Sequence, residues 1–592
     1  MNIAEFFVSK LKEERVRYVF GLNGSGTAVQ MMDALGRADG IDYVCTLHEQ
    51  SAGMAADSYA AISGGIGACV ATCGPGATNI YTAVAGSYYN STPVVYIVGQ
   101  PQLAQYKCSE NLRHFGYHEL DVTKAFKPIT KYAVEIKNAE HARYEIEKSL
   151  FIAKQGRPGP VLIAIPDDVT WLEINPDTQR SFSCIDDGYP VDDSEFVKLI
   201  ARFSCAERPL LMLGKGVKCA NAVNEARLLA DEMDCPVALT WAAKDIFGGY
   251  DQRNTGSFGV QGTRSGNFAV QNADFVLAIG VRFDASETGF PPERFASRAY
   301  LISVDIDEAE LKKYHEYGIH VDQKIKSDAR DFIKGLLLKI RGSDYGLLSK
   351  EKEKRSRWIN RINEWKDRYP LVMPGYYHES TVNPYVVVDC ISRNSGKAGV
   401  IITDTSTSRN FIFQSFNVNK NQRVHTWTNF ACLGYGLPAA IGASYAGKGM
   451  VIAVMGDGAL QFNIQELATV VFNRLNIKIM VFDNDGYANI LRLQNKNLEG
   501  RHFGSDRENG LPLPDSAKIA KAYGLPVYEI KKNSEVEPVI KEVFNVPGPV
   551  FCSIHLDINH WTVPFRNGRD PLEDMTPKLP REELECIMSL SV

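Results

Sequence analysis

The chain lacks any unbroken apolar run approaching the roughly 20 residues that a membrane-spanning helix requires, so no spanning segment is expected. Its first residues, Met1 to Gly21, carry charges at helical spacing and have neither the apolar stretch nor the small-residue cleavage site of a secretory leader. A cytoplasmic protein is therefore the expectation. A basic stripe is also missing: the formal net charge is −5, and no arginine-rich arm is present, which argues against a nucleic-acid partner. The 12 cysteines occur in no paired metal or redox spacing. Cys69, Cys235 and Cys552 fall in apolar segments, and buried free thiols are expected. Low-complexity segments and short repeats are absent as well. What is present is a globular composition, 45% hydrophobic and 23% charged over 592 residues, long enough for about three domains.

Short β-branched runs alternate with helical patterns and Gly/Pro/Asn turns, the signature of parallel α/β sheets. Three blocks separate. The first, residues 1–170, has strand-like segments near Val19, Tyr43, Ala68 to Thr72, Val94 to Val98 and Val161 to Ile165. The second, residues 190–340, has them at Pro209 to Leu213, Phe275 to Ile279 and Tyr300 to Val304. Residues 341–375 form a linker in which the charge-dense stretch 350–368 reads as an exposed helix. The third block covers 376–565 and is followed by a tail, 566–592. The first and third blocks are candidate relatives of one another.

The most informative chemistry lies in the third block. Val451 to Met455 reads as a buried strand running into Gly456-Asp457-Gly458, and 459–474 reads as a helix. This places a carboxylate at the carboxyl end of a parallel strand, where open α/β sheets bind ligands. Glycines and a helix start there suit a diphosphate, but a carboxylate beside one needs a cation between them. Magnesium, with its oxygen-ligand shell, meets that need. The next strand, Ile477 to Phe482, ends in Asp483-Asn484-Asp485-Gly486-Tyr487. The 25 residues between Gly458 and Asn484 suffice for one helix and one strand, returning Asn484 to the neighbouring strand end.

Gly-Asp-Gly followed at this distance by Asn resembles the diphosphate motif of thiamine-diphosphate enzymes. The resemblance implies that the side chains of Asp457 and Asn484 and the carbonyl of Gly486 hold Mg²⁺, with Gly458 and Ala459 against thiamine diphosphate. The segment from Thr46 to Ala52 looks like the family's activating-glutamate segment, with Glu49 in that role; a buried carboxyl can keep a proton near neutral pH. Cys73-Gly74-Pro75-Gly76-Ala77-Thr78-Asn79, Arg157 to Val161 and Leu433 to Gly442 are similar to the acetohydroxyacid synthase branch. That similarity puts Pro75 and Asn79 at the coenzyme and makes Leu433 the apolar prop that bends it. In Asp404 to Ser408, Ser406 and Thr407 stand where the family has diphosphate donors, Ser406 in place of the usual glycine. The fold class implied is α/β, with three parallel-sheet domains: pyrimidine-binding, central and diphosphate-binding. Because glutamate and diphosphate motif lie in different blocks, the family builds each site between two chains. A homodimer at least, and a dimer of dimers, follows from the resemblance.

Segments of the middle block are similar to those lining the flavin site of acetohydroxyacid synthases. They assign Gly259, Gly262, Arg282, Asp305 and Asp328 to a structural FAD, although Ala285 and Ser286 replace an Asp-Arg pair. An adenine nucleotide or an empty site is the alternative. On the substrate side, Tyr117-His118-Glu119 replaces Phe-Gln-Glu, so His118 is a candidate for proton transfer or hydrogen bonding, with His114 behind it. Leu22-Asn23-Gly24-Ser25 replaces Tyr-Pro-Gly-Gly, with Gly24 at the coenzyme, and Leu493 replaces a tryptophan. Leu511 to Asp515 and Pro571 to Met575 look like homologues found with bacterial surface-sugar biosynthesis. The implied activity is a carboligase that decarboxylates a 2-keto acid, pyruvate first, and transfers the acyl carbanion to a second small-molecule carbonyl such as a keto-sugar nucleotide. Acetolactate synthase proper, or a 2-keto acid decarboxylase or C–C hydrolase, are the alternatives.

Overall fold

The computed structural model describes residues 1–109, 111–184, 188–342, 352–419, 421–447 and 449–590. Part of the expected linker, including the start of its charge-dense stretch, and the last two tail residues lie outside the described residues. The first sheet contains β1 (Tyr18–Gly21), β2 (Asp42–Cys45), β3 (Gly67–Ala71), β4 (Val94–Gln100), β5 (Tyr132–Glu135) and β6 (Val161–Pro166). The second contains β7 (Pro209–Leu213), β8 (Val237–Leu239), β9 (Asn254–Ser257), β10 (Phe275–Ile279), β11 (Tyr300–Asp305) and β12 (Gln323–Lys326). The third contains β13 (Ala398–Thr403), β14 (Arg423–His425), β15 (Met450–Gly456), β16 (Ile477–Asp483), β17 (Val527–Ile530) and β18 (Val550–His555). All neighbouring strands are parallel. Their central members are apolar on both faces because helices cover both: every residue of β4, β6, β7 and β10 is buried.

Strand order runs β2-β1-β3-β4-β6-β5 in the first sheet and β14-β13-β15-β16-β18-β17 in the third, the same permutation. The middle sheet runs β12-β11-β10-β7-β8-β9. Its order reverses between β7 and β10, the kind of crevice in which a doubly wound sheet binds a dinucleotide.

The first and third sheets meet through two helices rich in small residues, Glu49–Ser63 and Gly436–Tyr445. A Cβ added at Gly442 would lie 2.0 Å from the carbonyl oxygen of Ala55, so only glycine permits this approach. Buried Asp57 pins the same junction. It accepts hydrogen bonds from Trp427 Nε1 at 2.7 Å and the Tyr435 hydroxyl at 2.8 Å on one oxygen, and from Ser87 at 2.8 Å on the other.

Three expectations are corrected. The helix Lys352–Arg368 exists, but it is not a solvated face throughout: Trp358, Ile362 and Trp365 recur at helical spacing and pack with Phe268 and the tail residues Leu584 and Ile587. The single helix over 459–474 is broken. One turn, Asp457–Leu460, is followed by a 3₁₀ segment and then the helix Leu467–Phe472, with Asn463 at φ −139°. The break lets the buried amide of Asn463 donate to the Gly434 carbonyl at 2.7 Å and accept from Ser51 at 2.9 Å. Among the described residues the cysteines form no disulfide, and Cys69, Cys235 and Cys552 are buried, whereas Cys45, Cys108, Cys184, Cys205 and Cys586 are exposed. No described helix is long and apolar enough to cross a membrane.

Candidate functional site

Asp457 sits at the carboxyl end of β15, 4% exposed. One carboxylate oxygen accepts from the Gly458 NH at 2.8 Å, while the other is buried without any partner. Burial, followed by repulsion from Asp483, pushes its pKa up to about 7. A buried carboxylate left half-satisfied at a strand end is a site that wants a cation. Asp457, Asp483 and Asp485 each bring an oxygen within 4.8 Å of one another. The two flanking acids were not among the expected ligands, and the alternation Asp-Asn-Asp was their only signal. Both have other partners: Asp483 accepts from Ser553 at 3.0 Å and Asp485 pairs with Arg507 at 2.6 Å. Asn484 lies half-buried between them and Gly486 is buried one residue on. Gly458 tolerates no side chain, since a Cβ there would meet the Tyr487 ring at 2.3 Å; Ala459 beside it is buried.

Glu49 opens the helix Glu49–Ser63 and is 7% exposed. It is therefore no surface compensation of the helix dipole. The Asn79 amide donates to its Oε2 at 2.9 Å, and a Cβ at Gly76 would approach its Oε1 to 3.1 Å. The loop after β1 and the loop after β3 converge here, because a Cβ at Gly24 would meet Thr72 at 2.9 Å. Pro75 is exposed at the start of the short helix Pro75–Asn79. His118 is brought against this same loop: Gly74, at φ +54°, leaves no room for a Cβ, which would lie 2.7 Å from the His118 carbonyl oxygen. His118 itself has φ +62°, stacks on Tyr117 at 3.7 Å and buries an unpartnered Nδ1. Its loop is pinned by Glu119, which accepts from the backbone NH groups of Phe115, Lys107 and Gly116. His114 is exposed.

The glutamate segment also touches the diphosphate segment of the same chain, through Ser51 to Asn463 and through the Leu47 NH to Glu466 at 3.0 Å. Ser406 caps the helix Thr407–Ser415 at φ +84°, a backbone conformation that favours the glycine it replaces. Its hydroxyl accepts from the Asn489 amide at 3.2 Å. Thr407 is half-buried beside it, and Leu433 is likewise half-buried rather than a core leucine. Asp404, fully buried at the end of β13, fixes the Leu433 loop by accepting from the NH groups of Gly436 at 2.6 Å and Gly434 at 3.3 Å.

A separate cavity of about 520 Å³ opens at the β7–β10 reversal of the middle sheet, within the range of roughly 300–1,000 Å³ of cofactor sites. Arg282, Asp305 and Asp328 line it. Gly259 and Gly262 do not: they form the tight turn that presents Val260 and Gln261 to the cavity, with the Gly262 NH donating to the Gly259 carbonyl at 3.0 Å. Burial pushes Asp305 up to about 6, and burial with the nearby Asp284 pushes Glu287 up to about 8. Glu287 Oε2 and Gln261 Oε1 are buried without partners. The main chain of Arg566 in the tail donates to Val260 at 2.8 Å, so the tail braces this wall.

Three family descriptions match the chain. They are the thiamine pyrophosphate enzyme N-terminal TPP binding domain over residues 1–125, the central domain over 197–336 and the C-terminal TPP binding domain over 404–554. The probable acetolactate synthase large subunit of Methanococcus aeolicus is 31% identical, covering 99% of this chain and 97% of its own length. The acetolactate synthase large subunit of Cyanidium caldarium is 30% identical over 92% and 91%. Acetolactate synthase isozyme 1 large subunit of Escherichia coli is 29% identical over 95% of each chain. With the matched domains on the three sheets and the likeness running nearly end to end, this chain belongs to the thiamine pyrophosphate enzymes and is an acetolactate-synthase-like, thiamine-diphosphate-dependent enzyme.

Proposed function

We propose that the enzyme decarboxylates a 2-keto acid, pyruvate first, and joins the acyl unit to a second carbonyl compound, with a keto-sugar nucleotide as acceptor. The observation that carries this reading is the unpartnered buried oxygen of Asp457 at a strand end, and Glu49, buried and accepting from Asn79, supports it. The residues fit the cofactors that the family implies. Asp457, Asn484 and the Gly486 carbonyl would hold Mg²⁺; Gly458, Ala459, Ser406 and Thr407 would meet the diphosphate; Gly24, Pro75, Asn79 and Leu433 would meet the rings. Bound there, thiamine diphosphate supplies an electron sink for the carbon that loses carbon dioxide. Glu49, with Asn79 on one oxygen and Gly76 against the other, would hydrogen-bond the coenzyme's ring nitrogen. His118, whose Nδ1 is unpartnered, would be the group that meets the reacting carbon's substituents.

Arg282, Asp305 and Asp328 are proposed to hold a flavin nucleotide that is structural and carries no redox step. Purified protein is then expected to be yellow, and a colourless preparation carrying no flavin after denaturation would remove this assignment. A homodimer at least, cytoplasmic, is part of the same reading. The exposure of Tyr43, Leu47, Tyr81 and Phe462 around the glutamate and diphosphate segments supports a second copy packing there.

The unpartnered Nδ1 of His118 favours one second reading, in which a proton takes the acceptor's place and the enzyme is a simple decarboxylase or C–C hydrolase. Incubation with thiamine diphosphate, Mg²⁺ and pyruvate, with and without a keto-sugar nucleotide, separates the cases. Carbon dioxide release with a two-carbon-extended sugar is expected. Acetolactate alone would return the enzyme to the ordinary synthase, and aldehyde release indifferent to acceptor would establish the second reading.

A further inference from the structure

The helix Ala488–Asn497 begins two residues after Gly486, and its side chains have a face that the cofactor assignments leave unused. Asn489, in its first turn, reaches Ser406 at 3.2 Å and buries an unpartnered Oδ1. Arg492, three residues on and therefore on the same face, has its guanidinium carbon 3.9 Å from the centre of the Trp561 ring and 4.0 Å from that of Phe565. The two aromatic rings hold the guanidinium in place. Its NH1 is nonetheless buried with no acceptor, and the same is true of Trp561 Nε1 and the Thr562 hydroxyl beside it. Arginine is all donor and always charged, so these groups form a partly buried positive corner in which three buried polar atoms lack partners.

The bed under this corner is rigid. The Val563 NH donates to the Tyr385 hydroxyl at 2.8 Å, and the Gln414 amide donates to the carbonyls of Pro564 at 2.7 Å and Gly262 at 3.1 Å. Gln414 lies on the helix that Ser406 caps. The clamped guanidinium is thereby fixed relative to the cofactor loops. Asn489 occupies the turn nearest those loops, while Arg492 sits one turn further out, next to Leu493, which is 52% exposed.

We propose that Arg492 is the anion-recognition residue of the acceptor subsite, binding a carboxylate or phosphate on the carbonyl compound that receives the acyl unit. The assignment deepens the carboligase reading and rests on it. A guanidinium whose NH1 lacks an acceptor suits N–H···O bonds to such a group. Lysine, a point charge that cannot stack in the same way, would not replace it.

The test uses holoenzyme of the wild type, Arg492→Gln and Arg492→Lys. Three probes are used: 2-ketobutyrate for the carboxylate, ribose 5-phosphate for the phosphate and acetaldehyde as a neutral acceptor. Binding is followed by calorimetry and acceptor KM by product formation. For Arg492→Gln, affinity and KM for at least one anionic probe should weaken about 10- to 100-fold, with acetaldehyde KM and thiamine diphosphate affinity within about twofold of wild type. Arg492→Lys should recover only part of the loss. The anionic arm that responds identifies the source, carboxylate or phosphate. Unchanged affinity for both anions, an equal loss for acetaldehyde, or weakened thiamine diphosphate binding would each overturn the proposal. Because calorimetry needs no turnover, anion binding lost in Arg492→Gln by an enzyme that fails to ligate would separate a failed carboligase reading from a failed subsite.

Discussion

Glu49→Gln is expected to fold, bind thiamine diphosphate and lose about 10²- to 10⁴-fold in turnover, the usual worth of a positioned proton-transfer group. Geometry makes the substitution clean. The Asn79 amide donates to Glu49 Oε2 at 2.9 Å, and a glutamine carbonyl oxygen can accept that bond unchanged. The cost to the fold is that of exchanging a carboxyl for an amide of the same shape in the first turn of the helix Glu49–Ser63, about 0.3–1 kcal/mol. A loss of 10²–10⁴ in rate corresponds to about 3–5 kcal/mol, so the two effects are separable in size. Exchange of the coenzyme's acidic carbon-bound hydrogen for deuterium is the direct measurement. It should nearly stop in Glu49→Gln while the melting temperature moves by little. Exchange at the wild-type rate would remove Glu49 as activator, and a large fall in melting temperature would recast it as a structural carboxylate.

What was legible in the sequence follows the physics of burial. Strands covered on both faces announce themselves as continuous apolar runs, as β4, β7, β10, β15 and β16 do. Five of the six edge strands, β5, β9, β12, β14 and β17, fall outside the expected set, and so do the interior strands β8, β13 and β18. An edge strand is short and covered on fewer sides, and β5 is half-buried along its whole length while β12 alternates buried with exposed. The placement of Asp457 at a strand end and of Glu49 at a helix start was readable because glycine spacing and strand ends constrain both locally. Asn463 was not, because what breaks its helix is a pair of bonds to Gly434 and to Ser51, 412 residues away. Arg492 is concealed in the same way. One arginine on a polar helix reads as a solvated charge, and only the return of the last residues of the third block brings Trp561 and Phe565 against it. Single-chain patterning carries the chemistry of a motif well and the company a side chain keeps poorly.

Asp457 should show opposite signs in two measurements. Outer-shell partners of a metal are worth about 10–100-fold in affinity, so replacing an inner carboxylate in Asp457→Asn is expected to weaken Mg²⁺ by about 100-fold or more in the presence of thiamine diphosphate. Without cation the same change should relieve the fold. Burial first, then Asp483, raises the folded pKa of Asp457 from 3.8 to about 7, so between these values the native state binds more protons than the unfolded one. Stability contributed by the protonated group is complete below about 4 and declines as pH rises through about 7. Asparagine removes that decline. In chelator at pH 8, Asp457→Asn should therefore melt above the wild type, whereas with Mg²⁺ and thiamine diphosphate the order should invert. Wild-type Mg²⁺ affinity should fall about tenfold per unit below pH 7 as protons compete for the same oxygen. A carboxylate kept for packing or hydrogen bonding predicts a lower melting temperature in both conditions and a Mg²⁺ response that ignores the substitution. That pattern, seen in paired melting curves, would move the cation to Asp483 and Asp485 and leave Asp457 as part of the strand end.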